Sequence, residues 1–200
     1  SSWSSYVLEG WESSVPALLA KQNEMEAQRT ADLARTLTRK PPRPVAIVNA
    51  NLFDSATGQS RRGAAVVIDG GRITAVGTER DISVPQNAER IDANGRALLP
   101  GLWDMHVHMG PDEGLMHIAA GVTSVRDLAN ENEALQKIRR RIEAGREIGP
   151  RILMRGFMDG RGPYAGPTKV LVDTEEEGRA AIENYAKLGY EGIKIYSSIK

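Results

Sequence analysis

The sequence contains no cysteine. Disulfides and thiolate metal sites are therefore excluded, and any metal ion must be held by histidine, carboxylate or modified side chains. Net charge is missing as well, since 26 lysines and arginines balance 26 aspartates and glutamates. A neutral chain has no general attraction for nucleic acid or an anionic membrane surface, so a soluble protein acting on small molecules is expected. No apolar run approaches the ~18–20 residues of a membrane span. No Gly-rich phosphate loop follows the first strand, which argues against a nucleotide-binding doubly wound domain. The chain opens Ser1-Ser2-Trp3 without a methionine. That start is compatible with processing, truncation or cloning, and no signal peptide is visible. The expected location is soluble, with cytoplasmic and periplasmic or secreted compartments both open.

What is present is ordinary globular usage: 40% hydrophobic and 26% charged residues, with 20 glycines and 10 prolines among 200 residues. That is enough chain for a sizeable core. Residues 1–44 read as a helical extension, with good helix formers from Val15 to Leu37 and apolar positions at Leu18, Leu19, Met25, Leu33 and Leu37. Pro41-Pro42-Arg43-Pro44 ends it, because prolines cannot continue a helix. Residues 45–97 read as a small β unit. Val45–Ala50 is a short strand, and Ala64–Ile68 and Ile73–Val76 flank Asp69-Gly70-Gly71-Arg72 as a hairpin. A further strand is expected through Arg90-Ile91-Asp92.

From residue 98 to 200 the rhythm changes to strands alternating with helices. Strands are expected near Leu98–His106, Val122–Val125, Arg151–Met154 and Gly192–Tyr196. One helix runs from Asn132 to Arg146 with Leu135, Ile138 and Ile142 on one face. Another starts at Thr174, where Thr174 and Glu177 have capping-box spacing, and stops at Leu188-Gly189. This alternation implies βαβ units and a parallel sheet.

Chemistry concentrates in Leu98-Leu99-Pro100-Gly101-Leu102-Trp103-Asp104-Met105-His106-Val107-His108. Residues i and i+2 of a strand share a face, so His106 and His108 project together and can converge on one ion. They fall at the C-terminal end of the strand, where parallel α/β barrels build active sites. In Gly192-Ile193-Lys194-Ile195-Tyr196, Lys194 faces away from the helix layer if Ile193 and Ile195 face it. A buried lone ammonium is costly. One resolution is a neutral amine that adds carbon dioxide to form an anionic, metal-bridging carbamate; the other is a lysine on a solvated strand face.

Taken together these segments resemble the amidohydrolase superfamily. Leu99–His108 looks like its first-strand signature, and Ala120–Leu128 is similar to the second strand of its imidazolonepropionase-like and Xaa-Pro dipeptidase-like branch. Lys194 within Ile193-Lys194-Ile195-Tyr196 matches a fourth-strand lysine carboxylated in many members. The resemblance covers about residues 45–200. It implies an α/β fold: the first half of a (β/α)8 TIM-type barrel, preceded by part of a small β-sandwich domain. It also implies a metal-dependent hydrolase of amide, peptide or cyclic amide C–N bonds, with one or two divalent ions, zinc foremost. His106, His108 and carboxylated Lys194 are the implied metal ligands. The family's catalytic aspartate and two further histidines come from later strands and are expected beyond residue 200, so this chain by itself is expected to be inactive. The rest of the barrel is expected from further chain or another polypeptide, with homo-oligomerisation an open possibility.

Weaker candidates accompany these. Arg126 and Tyr164 are candidate substrate-binding residues: Arg126 follows the second strand beside Asp127, where a local ion pair is the competing role, and Tyr164 lies in the Gly156–Gly166 loop. His117 is expected to be a structural or surface residue, and Glu175-Glu176-Glu177 to serve a helix dipole rather than a metal. The alternative function is a non-catalytic half-barrel used for binding or assembly, since an open sheet leaves an edge and an apolar face to cover.

Overall fold

The computed structural model describes residues 6–111 and 113–199. The chain divides into two compact units, Arg39–Leu102 and a second made of Ser1–Thr38 with Trp103–Lys200.

Arg39–Leu102 forms a five-stranded sheet around β1 (Val45–Asp54). β2 (Gln59–Asp69) pairs antiparallel with β1, and β3 (Arg72–Thr78) antiparallel with β2. On its other side β1 pairs in parallel with β4 (Glu89–Asp92) and β5 (Ala97–Leu98). The β2–β3 turn is the expected hairpin, closed by Asp69 opposite Arg72. Gly70 and Gly71 have φ of 54° and 77°, the positive values a two-residue turn needs to match strand twist and that glycine adopts freely. Ala46, Val48, Ala65 and Val67 alternate along β1 and β2 and bury one face, covered by Ile82 and Val84.

In the second unit, α1 (Val15–Leu37) carries Pro16 in its first turn, where a missing N–H costs no helical bond. The alternating part follows: β6 (Leu102–Val107), α2 (Glu113–Ala119), β7 (Val122–Asp127), α3 (Asn132–Glu143), β8 (Arg151–Met154), β9 (Gly156–Met158), α4 (Glu175–Lys187) and β10 (Ile193–Ile195). β7 lies between β6 and β8, and the β7–β8 and β9–β10 pairs are parallel. β8 and β9 adjoin at Arg155. The Arg155 N–H bonds to Asp127 O at 2.9 Å, whereas the Gly156 N–H bonds to Gly192 O at 2.9 Å. One stretch of chain thus links β7 on one side to β10 on the other.

The core explains which strand residues face the helices. Leu135 and Ile138 of α3 and Tyr185 of α4 pack with Val125, Ile152 and Met154 of the strands, and Ile142 and Ile193 seal the cluster. Ile193 therefore faces the helix layer as expected, which turns Lys194 to the opposite face. Ile195 does not follow Ile193 inward; it is 61% exposed. A second difference lies upstream, where the stretch expected as one strand from Leu98 to His106 breaks at Pro100-Gly101. Proline cannot donate to a ladder, so β5 joins the first sheet and β6 starts afresh. Among the described residues no helix is long and apolar enough to cross a membrane.

Candidate metal centre

His106 lies on β6 and His108 one residue past its end. Their rings meet edge to face, with centres 5.3 Å apart and planes at 74°. Two imidazoles sharing a tetrahedral ion through one nitrogen each, at Zn–N of about 2.0–2.1 Å, hold their centres about 5 Å apart. The observed pair fits that requirement. The His108 ring is also oriented: Nδ1 lies 2.6 Å from the Ala129 carbonyl oxygen. A carbonyl only accepts, so Nδ1 is the donor and Nε2 is the nitrogen left to face an ion, the arrangement by which ligand histidines are held.

The turn after His108 is built on Asp127, at the end of β7. Its carboxylate is fully buried and accepts from the backbone N–H of Met109 at 2.7 Å, from Asn130 Nδ2 at 3.1 Å and from the Ala129 N–H at 3.2 Å. Asn130 also donates to Met109 O at 2.7 Å. Burial pushes the Asp127 carboxyl above its ordinary range, against the pull of Asn130, Met109, His108 and Ala129. Asp127 forms no pair with Arg126. Arg126 instead donates through Nε to Met105 O at 2.9 Å, next to His106 in the chain.

Lys194 is half-buried on β10, opposite Phe157 of β9. Its Nζ sits 4.9 Å from the centre of the Tyr196 ring and 5.4 Å from that of Phe157, within cation–π reach of both. The two rings meet edge to face at 4.6 Å. A cavity of about 750 Å³ is lined by His108, Phe157 and Tyr196 together with Asn130 and Thr168. His108 thus shares a wall with the rings that flank Lys194. Arg126 and Tyr164 do not line this cavity, and Tyr164 is 89% exposed on its loop. His117 sits in the last turn of α2. Among the described residues no three His, Asp or Glu side chains gather into a metal cluster.

Sequence reasoning left the role of Asp127 open and passed over Asp159. Asp159 is fully buried where β9 ends, and accepts from the N–H groups of Gly166 at 2.8 Å, Gly160 at 2.9 Å and Ser198 at 3.0 Å. Burial opposes its charge, yet these three backbone donors outweigh that cost and hold the carboxyl below the usual range. The only sequence signal for either residue was an acidic side chain at a strand's C-terminal end.

A His-x-His pair at one strand's C-terminal end and a half-buried lysine on another, with helices packed behind, define an α/β chain with candidate site residues on its strands. No family model matches the chain. Ochratoxinase of Aspergillus niger is 31% identical over 210 aligned positions, covering 77% of this chain and 42% of the relative. Imidazolonepropionase of Anaeromyxobacter dehalogenans is 46% identical over 50 residues, 24% of this chain and 12% of the relative. A solved Xaa-Pro dipeptidase with methionine bound in its active site superposes with a TM-score of 0.62 at 25% identity, over 76% of this chain and 46% of that one. These similarities support the amidohydrolase superfamily for this chain, as the N-terminal part of a member. It spans less than half the length of these relatives.

Proposed function

We propose that this chain is the N-terminal part of a metal-dependent hydrolase that cleaves C–N bonds in an amide, peptide or cyclic amide. The observation that carries the reading is the His106–His108 pair, 5.3 Å apart at a strand's C-terminal end, with the His108 ring fixed by the Ala129 carbonyl. The relatives support the reaction type, being hydrolases that act on C–N bonds. In this reading residues 98–200 supply the first four β/α units of a (β/α)8 barrel, residues 45–97 part of a β-sandwich domain, and residues 1–44 a helical extension.

His106 and His108 are the proposed ligands of a divalent ion, zinc foremost, with carboxylated Lys194 a bridge to a second ion. When bound, such an ion supplies Lewis acidity, activating water and polarising the scissile carbonyl. The chain's own residues have prior tasks. Ala129 O holds His108 in the ligating tautomer, Asp127 fixes the turn on which His108 and Ala129 meet, and Phe157 with Tyr196 hold the Lys194 amine. Arg126 and Tyr164 remain proposed substrate contacts. A zinc site takes four ligands, so further ligands and the proton-transfer aspartate are assigned to chain beyond residue 200 or to a partner.

Metal analysis of the full-length protein tests this. One or two divalent ions per chain are expected, lost together with hydrolysis in His106→Ala/His108→Ala. A metal-free assembled protein, or full activity in the double variant, refutes it. For the carbamate, ¹³C NMR after exposure to ¹³C-bicarbonate is expected to show a resonance that Lys194→Ala removes.

A further inference from the structure

Two glycines and one carboxylate at the end of β9 are built around the side chains that flank Lys194. The chain leaves β9 at Asp159, runs out through residues 160–170 and returns at Leu171, which bridges back to Asp159. The Asp159 N–H bonds to Val170 O at 3.1 Å and the Val172 N–H to Asp159 O at 2.8 Å, so the loop is closed at its base. Inside it, the Asp159 carboxylate ties together three backbone N–H groups. Two belong to the loop, Gly160 and Gly166, and the third, Ser198, to the segment that follows Lys194 and Tyr196.

Packing is as tight as the hydrogen bonding. A Cβ on Gly160 would overlap the Ser198 carbonyl oxygen. A Cβ on Gly166 would lie 2.5 Å from the Tyr196 ring and 2.8 Å from the tip of Phe157. Only bare backbone fits there, so the loop presses directly on both rings. Phe157 is braced from behind as well: its carbonyl accepts from Thr168 Oγ1 at 2.7 Å and from the Tyr185 hydroxyl at 2.9 Å.

We infer that Asp159 is a positioning residue for Lys194: by clamping the 160–171 loop to the 196–199 segment, it keeps Phe157 and Tyr196 against the Lys194 amine. The inference rests on the proposed role of Lys194 for its functional meaning, but the clamp itself is a property of the chain alone. It also explains how a loop carrying the exposed Tyr164 is registered against the strand that bears the lysine.

The test is competitive amine labelling of the full-length, metal-free protein in bicarbonate-free buffer, read residue by residue by mass spectrometry. Exposed Lys40 and Lys187, both outside the loop, serve as internal references. Releasing the two ring contacts in Asp159→Asn, Asp159→Ala or Gly166→Ala is expected to raise labelling at Lys194 roughly two- to fivefold relative to the references. Gly166→Ala acts on the same rings while keeping the Asp159 carboxylate and the backbone N–H bonded to it, so it carries the test if an Asp159 variant fails to fold. Unchanged Lys194 labelling in folded variants at both positions overturns the inference. Because the labelling uses metal-free protein, loss of metal binding in the His106/His108 variant tests the functional reading separately.

Discussion

At the scale of single residues, the two buried aspartates do similar work with opposite electrostatic outcomes. Asp127 has its burial only partly offset and is pushed up; Asp159 receives three backbone N–H bonds and is held down. For Asp159 the folded carboxyl is more acidic than an unfolded one, near 3.9. Its stabilisation is therefore fully present above about pH 4 and is lost as pH falls through the depressed folded value. The stability gap between wild type and Asp159→Asn, measured by urea titration from pH 7 downward, is expected to narrow below about pH 4. For Asp127 the expected penalty is steric and hydrogen-bonding in kind. Asp127→Ala leaves the buried Met109 N–H without its acceptor, at a cost of about 2–4 kcal/mol by urea denaturation. Because the same carboxylate shapes the turn that aims His108, divalent-ion affinity is expected to drop about 10–100-fold by competition with a chelator.

At the scale of elements, α3 and α4 show how the helices hold the sheet that carries the site. Leu135 is fully buried among strand residues that alternate with those on the opposite face. Leu135→Ala is expected to cost about 2–5 kcal/mol, checked by thermal or urea unfolding. α4 begins at Thr174, whose Oγ1 accepts from the Glu177 N–H at 3.2 Å. The Glu177 carboxylate reaches back one residue further than a full capping box would, to the Asp173 N–H at 2.7 Å, and also takes Arg161 Nη1 at 2.8 Å. Thr174→Ala is expected to cost about 1 kcal/mol in the same measurement. Glu175 pairs with Arg179 one turn on and Glu177 with Arg161. The acidic run thus serves the helix start, as its position in the first turn suggests.

At the scale of the whole molecule, strands β6 and β10, each at the edge of its sheet, expose large apolar side chains. Leu102, Trp103 and Met105 lie on β6 and Ile195 on β10, each about half exposed or more. Arg151 partly covers Trp103, at 5.4 Å from its ring. Such edges and faces favour association. The 200-residue polypeptide expressed alone is expected to elute from size exclusion as a concentration-dependent oligomer. Co-expression with the downstream half of a relative-length chain is expected to give a defined complex; a stable monomer at all concentrations would favour the non-catalytic reading.

Local rules decided much that was legible from the sequence. The α1 helix ends before a proline cluster, Gly70-Gly71 turns a hairpin, Thr174 caps α4, and His106 and His108 share a strand face because the period of a strand is two. Each follows from the backbone preferences of adjacent residues. What only the tertiary structure decided depends on chain far apart in sequence. The Ala129 carbonyl meets His108 Nδ1, Phe157 closes on Lys194, and Asp159 reaches the Ser198 amide. No local preference encodes such meetings, since they exist only once parallel strands have been brought side by side and their loops share one end of the sheet.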